Sequence, residues 1–371
     1  MSATRWTDPS TSRSAVRHPG STAPPHRRIV DADDRMKADT AYRLACEGVD
    51  LLWRGDFHNG RHLLQAMSRR IDRKPLRRGD NPAESFRLHR RARGHRARVL
   101  GRLLVLLDED HRLALRRAPD VRRACTEAYG PPSEPTLVPL TELLGVIGAH
   151  EWRAKGVEVP ALGARVHPHY GVFSPVRGEY VDLVADAPLP ADRRVAFDLG
   201  TGTGVLAAVL ALRGVDRVVA TDISPRALSC ARENVRRLRL AERVDVVGPC
   251  LFPDGRADLV VCNPPWIPAR PTSDVELGVY DEDGGMLRCF LDGLACHLEP
   301  GGEGWLVLSD LAEHLGLRTR GELLAGIGAA GLRVVDRIDT RARHPRARNA
   351  DDFLHAARAA EVTSLWRLVR G

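Results

Sequence analysis

The sequence predicts an α/β protein: a Rossmann-like, doubly wound sheet over residues 161–371, a mainly helical domain over 36–160 and a disordered tail over 1–35. Three observations lead there. From about residue 190, short apolar runs alternate with amphipathic stretches, the pattern of a parallel sheet with helices on both faces. A glycine-rich turn separates the first of these runs from the helix that follows it. Between residues 36 and 160, apolar residues instead recur every three or four positions, which lines one face of a helix.

The elements follow in order. Residues 1–34 are rich in Arg, Ser and Thr and carry Pro9, Pro19, Pro24 and Pro25, which oppose an amphipathic presequence helix. The stretch also lacks the apolar centre of a secretory signal. Tyr42, Ala45, Val49 and Leu52 predict a first helix, and Leu64, Met67 and Ile71 a second. Residues 84–108 read as a third helix, basic in its first half and apolar from Val99 to Leu107. Arg112–Ala128 reads as a fourth, kinked at Pro119. Strands are then expected at Arg194–Leu199, Arg217–Asp222, Val244–Val247, Ala257–Cys262, Gly304–Leu308, Leu332–Ile338 and Leu365–Val369. Helices are expected at Val205–Arg213, after Ser224 as N-cap with Pro225 in the first turn, and over 285–298.

Composition narrows the function classes. The chain has 371 residues, 43% hydrophobic and 28% charged, enough for about two domains of ordinary globular type. No run approaches the ~18 apolar residues a membrane helix needs. The seven cysteines contain no C-x-x-C pair, so neither a disulfide framework nor a cysteine zinc site is expected, and a reducing cytoplasm is the expected setting. Window 69–102 holds thirteen basic and three acidic residues, a net +10, against +8 for the whole chain. That local excess suits a polyanion such as nucleic acid. It equally suits a solvated surface in an arginine-biased composition, since arginine supplies 53 of the 56 basic residues.

Two motifs carry chemistry. In Asp198-Leu199-Gly200-Thr201-Gly202-Thr203-Gly204, glycines let the backbone turn tightly and let a ligand approach without an intervening Cβ. Asp222 ends the next strand, where a carboxylate can accept hydrogen bonds from ribose hydroxyls, with Ile223 beside it for an adenine face. Taken alone, Gly202-x-Gly204-x-x-Ala207 also fits a dinucleotide fingerprint. The second motif, Asn263-Pro264-Pro265-Trp266, follows the strand Asp258–Cys262 at its carboxyl end, where open α/β sheets bind ligands. The Asn263 carboxamide oxygen and a proline-fixed main-chain carbonyl form two adjacent acceptors for a planar –NH₂ group, with an indole beside them. Such a clamp holds a nitrogen in line with an electrophilic carbon. His58 and His62, and His167-Pro-His169, have metal-compatible spacing without a third ligand, so no metal site is assigned.

On these residues the sequence resembles class I S-adenosylmethionine-dependent methyltransferases, and more narrowly the HemK-like glutamine-amide methyltransferases. The resemblance covers roughly residues 163–338 and extends to Gly171-Val-Phe-Ser-Pro-Val-Arg177-Gly-Glu179, Asp283-Gly284-Gly285 and Pro300-Gly301-Gly302. It implies S-adenosylmethionine as cofactor, held by Asp198, Gly200, Thr201, Gly202 and Gly204 at its methionine end and by Asp222 at the ribose, with Asn263 adjoining; Ile223 stays the apolar surface for the adenine read from its place beside Asp222. It implies that Asn263, Pro264, Pro265 and Trp266 bind the target nitrogen. The sequence departs from the family in three places. Gly248-Pro249-Cys250-Leu251-Phe252 lacks the usual acidic residue that meets the adenine amine, and Trp266 replaces the more usual tyrosine. The segment 340–361, with Arg341, Arg343, Arg346 and Arg348, is longer than expected.

The implied acceptor is a glutamine amide of a translation-machinery protein, with residues 36–160 choosing it. The alternatives are an exocyclic base amine of RNA or DNA reached through window 69–102, a small-molecule acceptor, or a non-catalytic S-adenosylmethionine-binding protein.

Overall fold

The computed structural model describes residues 5–7, 14–17, 28–271, 274–343, 349–350 and 352–371. The chain forms two compact units. The first comprises residues 1–79 and 87–151, the second residues 80–86 and 152–371. The boundary thus falls at Glu151 and Trp152 rather than at 160, and a short stretch near residue 80 belongs to the later unit.

The first unit runs β1 (Arg5–Thr7), β2 (Ser14–Arg17), β3 (Ile29–Ala32), α1 (Ala38–Cys46), β4 (Asp50–Trp53), α2 (Phe57–Asp72), α3 (Pro82–Leu100, whose first turn belongs to the second unit), β5 (Leu103–Leu107), α4 (Arg122–Tyr129), β6 (Thr136–Pro139) and α5 (Leu140–Lys155, whose last turn belongs to the second unit). Helical residues outnumber strand residues, but the unit is built on a six-stranded mixed sheet ordered β1-β2-β6-β5-β4-β3, which the sequence reading did not contain. The expected first helix stops at Cys46, and after Gly48 (φ 86°) the chain enters β4. The expected third helix stops at Leu100, and its apolar second half is instead β5, Leu-Leu-Val-Leu-Leu, buried on both faces. A continuous apolar run has no period of two, so its sequence reads equally well as buried helix. The expected fourth helix is confined to Arg122–Tyr129. The tail expectation is also corrected for the described residues, because β1, β2 and β3 are strands of this sheet.

The second unit begins with the hairpin β7 (Val157–Val159) and β8 (Ala164–Val166), then α6 (Glu179–Asp186), β9 (Val195–Leu199), α7 (Val205–Leu212), β10 (Arg217–Thr221) and α8 (Pro225–Arg237). There follow β11 (Val244–Val247), β12 (Ala257–Cys262), α9 (Gly285–His297), β13 (Leu298–Ser309), α10 (Leu311–His314), α11 (Arg320–Ala329), β14 (Leu332–Arg341), α12 (His355–Ala360) and β15 (Val362–Arg370). The expected strands and helices of this half are all present, and Ser224 caps α8 through its side chain. The strand order is β11-β10-β9-β12-β13-β15-β14. Five strands run parallel, as predicted, whereas β15 pairs antiparallel with both β13 and β14, so the sheet is mixed.

Apolar side chains cover both faces of this sheet. One face buries Tyr180, Val184, Leu206 and Val209 against Val218, Leu259 and Trp305. The other buries Leu287, Phe290, Leu294, Leu323 and Ile327 against Phe197, Val260 and Leu306. The chain order reverses direction between β9 and its neighbours, and Leu199 is in register with both Thr221 of β10 and Cys262 of β12. The loops that leave these three strands therefore start at one level of the sheet. Among the described residues, no helix is long and apolar enough to cross a membrane.

Candidate active site

The first loop is shaped by glycine. Gly200, Gly202 and Gly204 have φ of 74°, 55° and 80°, a region where a Cβ strains the backbone. At Gly204 a Cβ would also stand 3.3 Å from the Ala231 backbone, so the residue lets α7 pack on α8. At Gly202 the space is open: the nearest atom to an added Cβ is the Gly200 carbonyl at 4.0 Å. The backbone N–H groups of Gly200 and Thr201 both donate to the Thr221 carbonyl, at 2.9 and 2.8 Å, which ties the turn to the end of β10.

The two carboxylates of the motif do different things. Asp198 is buried, and its Oδ2 accepts from Thr201 Oγ1 at 2.6 Å and from the Ala207 N–H at 3.0 Å. It thus holds the turn and the start of α7 from inside. Burial pushes its carboxyl up to about 6, partly offset by those two hydrogen bonds and assisted by repulsion from Asp222. Asp222 accepts from the Gly202 N–H at 3.1 Å and the Ser224 N–H at 2.9 Å, and burial raises its pKa as well. Next to it, Ile223 is 74% exposed, an uncovered apolar side chain at the loop rim. Cys250 N–H donates to the Asp222 carbonyl at 3.3 Å, and Thr221 Oγ1 donates to the Leu251 carbonyl at 2.5 Å. The segment that lacks the expected acidic residue is therefore fastened to β10 through its backbone.

The second loop closes on itself. Trp266 Nε1 donates to Asn263 Oδ1 at 2.8 Å. The carboxamide oxygen has two acceptor positions, so this bond uses one and leaves one. No described donor reaches the Pro264 carbonyl. The Arg177 guanidinium lies 4.8 Å from the Trp266 ring centroid, in cation–π contact, and so covers one face of the indole. Arg177 is itself held by Glu179 at 2.8 Å and by Glu361 at 3.0 Å, both with buried side chains. Glu361 also accepts from Ser309 Oγ at the end of β13, at 2.6 Å. Trp266 packs against the apolar residues on both sheet faces and against a third cluster of Phe86, Ile267, Leu311, Leu315 and Leu354.

Two participants lay outside the sequence reading of the site. Met286, at the start of α9, reaches the glycine turn, where its Cε would meet a Cβ on Gly200 at 2.5 Å. Its N–H and that of Leu287 are capped by the Asp281 carboxylate at 2.9–3.2 Å. The adjacent Asp283-Gly284-Gly285 was the signal available for it. Arg177 lies in the segment 171–179 that flanks the motifs, and its partner Glu361 is 184 residues away.

Other candidates have ordinary roles. His167 Nδ1 pairs with the Arg153 carbonyl and His169 Nε2 with Glu233, while His58 and His62 are exposed on α2. Of the four arginines singled out in segment 340–361, Arg346 and Arg348 lie outside the described residues; Arg341 ends β14, and Arg343 is 3.4 Å from Asp182.

A glycine turn after the first strand, an aspartate after the second and an Asn-Pro-Pro-aromatic loop after the fourth thus stand at the carboxyl ends of the parallel strands of one α/β unit. Residues 163–319 match the methyltransferase small domain family. More narrowly, the chain is similar to release factor glutamine methyltransferases. It is 39% identical to that of Moorella thermoacetica over 136 residues, which cover 33% of this chain and 48% of the relative. It is 44% identical to that of Mycolicibacterium smegmatis over 118 residues, covering 30% and 41%. A ribosomal protein L11 methyltransferase of Pelotomaculum thermopropionicum is 38% identical over 130 residues, covering 30% and 42%. The matched stretch thus spans less than half the length of each of these three relatives.

Proposed function

We propose that this protein transfers a methyl group from S-adenosylmethionine to a planar amide nitrogen, the glutamine side chain of a translation-machinery protein. The observation that carries this reading is the Asn263–Trp266 loop at the carboxyl end of β12, in register with the glycine turn. The names of the similar proteins support the translation-protein substrate.

The residues present fit the cofactor. The open space over Gly202 accommodates a ligand chain against backbone. Asp222, half-buried beside the exposed Ile223, offers a carboxylate for ribose hydroxyls and an apolar surface for a base. When bound, the cofactor supplies a methyl carbon made electrophilic by its sulfonium. Asn263 Oδ1, through its remaining acceptor position, and the Pro264 carbonyl accept the two N–H bonds of the target amide. Those bonds hold the nitrogen lone pair in line and stabilise the positive charge it gains. Trp266 fixes the carboxamide so that oxygen, not the –NH₂ group, faces the target. Because Arg177 covers one face of the indole, only the opposite face is available to an acceptor. The two carboxylates that hold Arg177 outnumber it, which keeps a positive field from opposing the developing cation. The proton leaves to water after transfer.

Radiolabelled methyl donor incubated with host extract tests the proposal. Label should enter a protease-sensitive, nuclease-resistant fraction and map by mass spectrometry to a glutamine. Asn263→Ala should lower the rate by about 100-fold, in the range for loss of one pre-organised hydrogen-bonding group. Label lost to nuclease would instead assign the acceptor to a base amine.

A further inference from the structure

We propose that the basic end of α2, the segment after it and α3 form a docking surface for the phosphate backbone of RNA. The proposal rests on the reading above only in its choice of RNA over DNA, since translation-machinery proteins work in the company of RNA.

The charge excess in window 69–102 is mostly uncompensated. Arg70 pairs with Asp39, Arg96 with Asp72, and the buried Arg102 with Asp50. Nine of the thirteen basic residues are exposed with no ion pair among the described residues. Five of them lie between Arg69 and Arg78, and four are Arg87, Arg91, Arg93 and Arg98 on α3.

The construction of α3 adds a second argument. Between residues 87 and 98 the helix carries six arginines and no acidic residue, and none of its side chains is fully buried. Phe86, Val99 and Leu100 are buried on either side of this stretch. Arg87 stands three and four positions from Arg90 and Arg91, and Arg93 three from both Arg90 and Arg96, spacings at which like charges repel on a helix. Gly94 weakens the middle further. The exposed Arg87, Arg91, Arg93 and Arg98, on a stretch with no acidic residue of its own, gain most from an external counter-charge. Between α2 and α3 lies a groove of about 350 Å³ with Leu64 and Leu100 in its lining; Ser68 and Arg96 are held there by Asp72, and Gln65 and Arg69 are the exposed polar side chains beside it. A surface with nine exposed basic side chains and, among its described residues, one exposed large apolar side chain, Leu76, suits a phosphodiester chain better than the buried core of a protein interface.

The test uses the full chain and a fluorescein-labelled, unstructured RNA of about 30 nucleotides, followed by anisotropy. With about six phosphate contacts, log Kd should rise with log salt at a slope of about 4, a loss of about 300-fold between 50 and 200 mM KCl. Replacing Arg87, Arg91, Arg93 and Arg98 by Gln should bring the slope to about 1.4, while the affinity for S-adenosylmethionine, measured calorimetrically, stays unchanged. An unchanged slope in a variant that still binds the methyl donor would overturn the proposal. So would polyglutamate competing as well as RNA of equal charge, which would assign the surface to an acidic protein. Ultraviolet crosslinking in host cells identifies the source: an adduct removed by RNase supports RNA, and one removed only by DNase overturns it. Failure of donor binding by the unaltered protein would count against the methyltransferase reading and leave the RNA measurement intact.

Discussion

At the scale of single residues, the hydrogen bond from Trp266 to Asn263 separates this site from one with tyrosine in the same place. Trp266→Phe keeps an aromatic ring and removes the N–H, a loss of about 1 kcal/mol in orientation, or about fivefold in kcat. In an Asn263→Ala background the same change should cost nothing further, because the group it orients is gone; full additivity in a double-mutant cycle would refute the orienting role. Asp198 makes a pH prediction. Its folded-state pKa, about 6, lies above its unfolded value of 3.8. The native state therefore binds the extra proton between those values, and the contribution is complete below 3.8 and lost as pH rises through 6. Asp198→Asn should flatten the stability profile across that window in urea titrations, its amide oxygen still accepting from Ala207. Asp198 and Asn263 could be named from sequence because each belongs to a short contiguous motif. The partner of the indole N–H could not, since rotamers decide it.

At the scale of elements, the turn from β9 to α7 shows how local chemistry sets geometry. Gly204→Ala forces a Cβ into positive φ and toward Ala231, and should cost about 1–3 kcal/mol of stability, seen as a lower urea midpoint at unchanged m-value. The strands around this turn were legible because each is a short apolar run bounded by glycine, proline or a charged residue. β5 and β4 were not, because Leu103–Leu107 and Leu51–Trp53 adjoin helices without a change in hydrophobic pattern. Gly48 and Gly101 were the available breaks, and each is single and weak.

At the scale of the whole molecule, the chain passes from the first unit into the second at residues 80–86, back again, and returns at Trp152. Phe86, 2% exposed, is the apolar anchor of the early visit, in the cluster against which Trp266 packs. Phe86→Ala should destabilise the second unit by about 3–5 kcal/mol and slow turnover, measured by denaturation and the labelling assay. Sequence alone determined the alternating half, its glycine turn and its Asn-Pro-Pro-Trp loop, because periodicity, turn chemistry and motif all act between near neighbours. The tertiary structure decided the sheet of the first unit, the antiparallel β15, and the assembly of Arg177 with Trp266 and Glu361. Those depend on which strands share hydrogen bonds and which side chains meet after nearly two hundred intervening residues, and no local pattern carries that information.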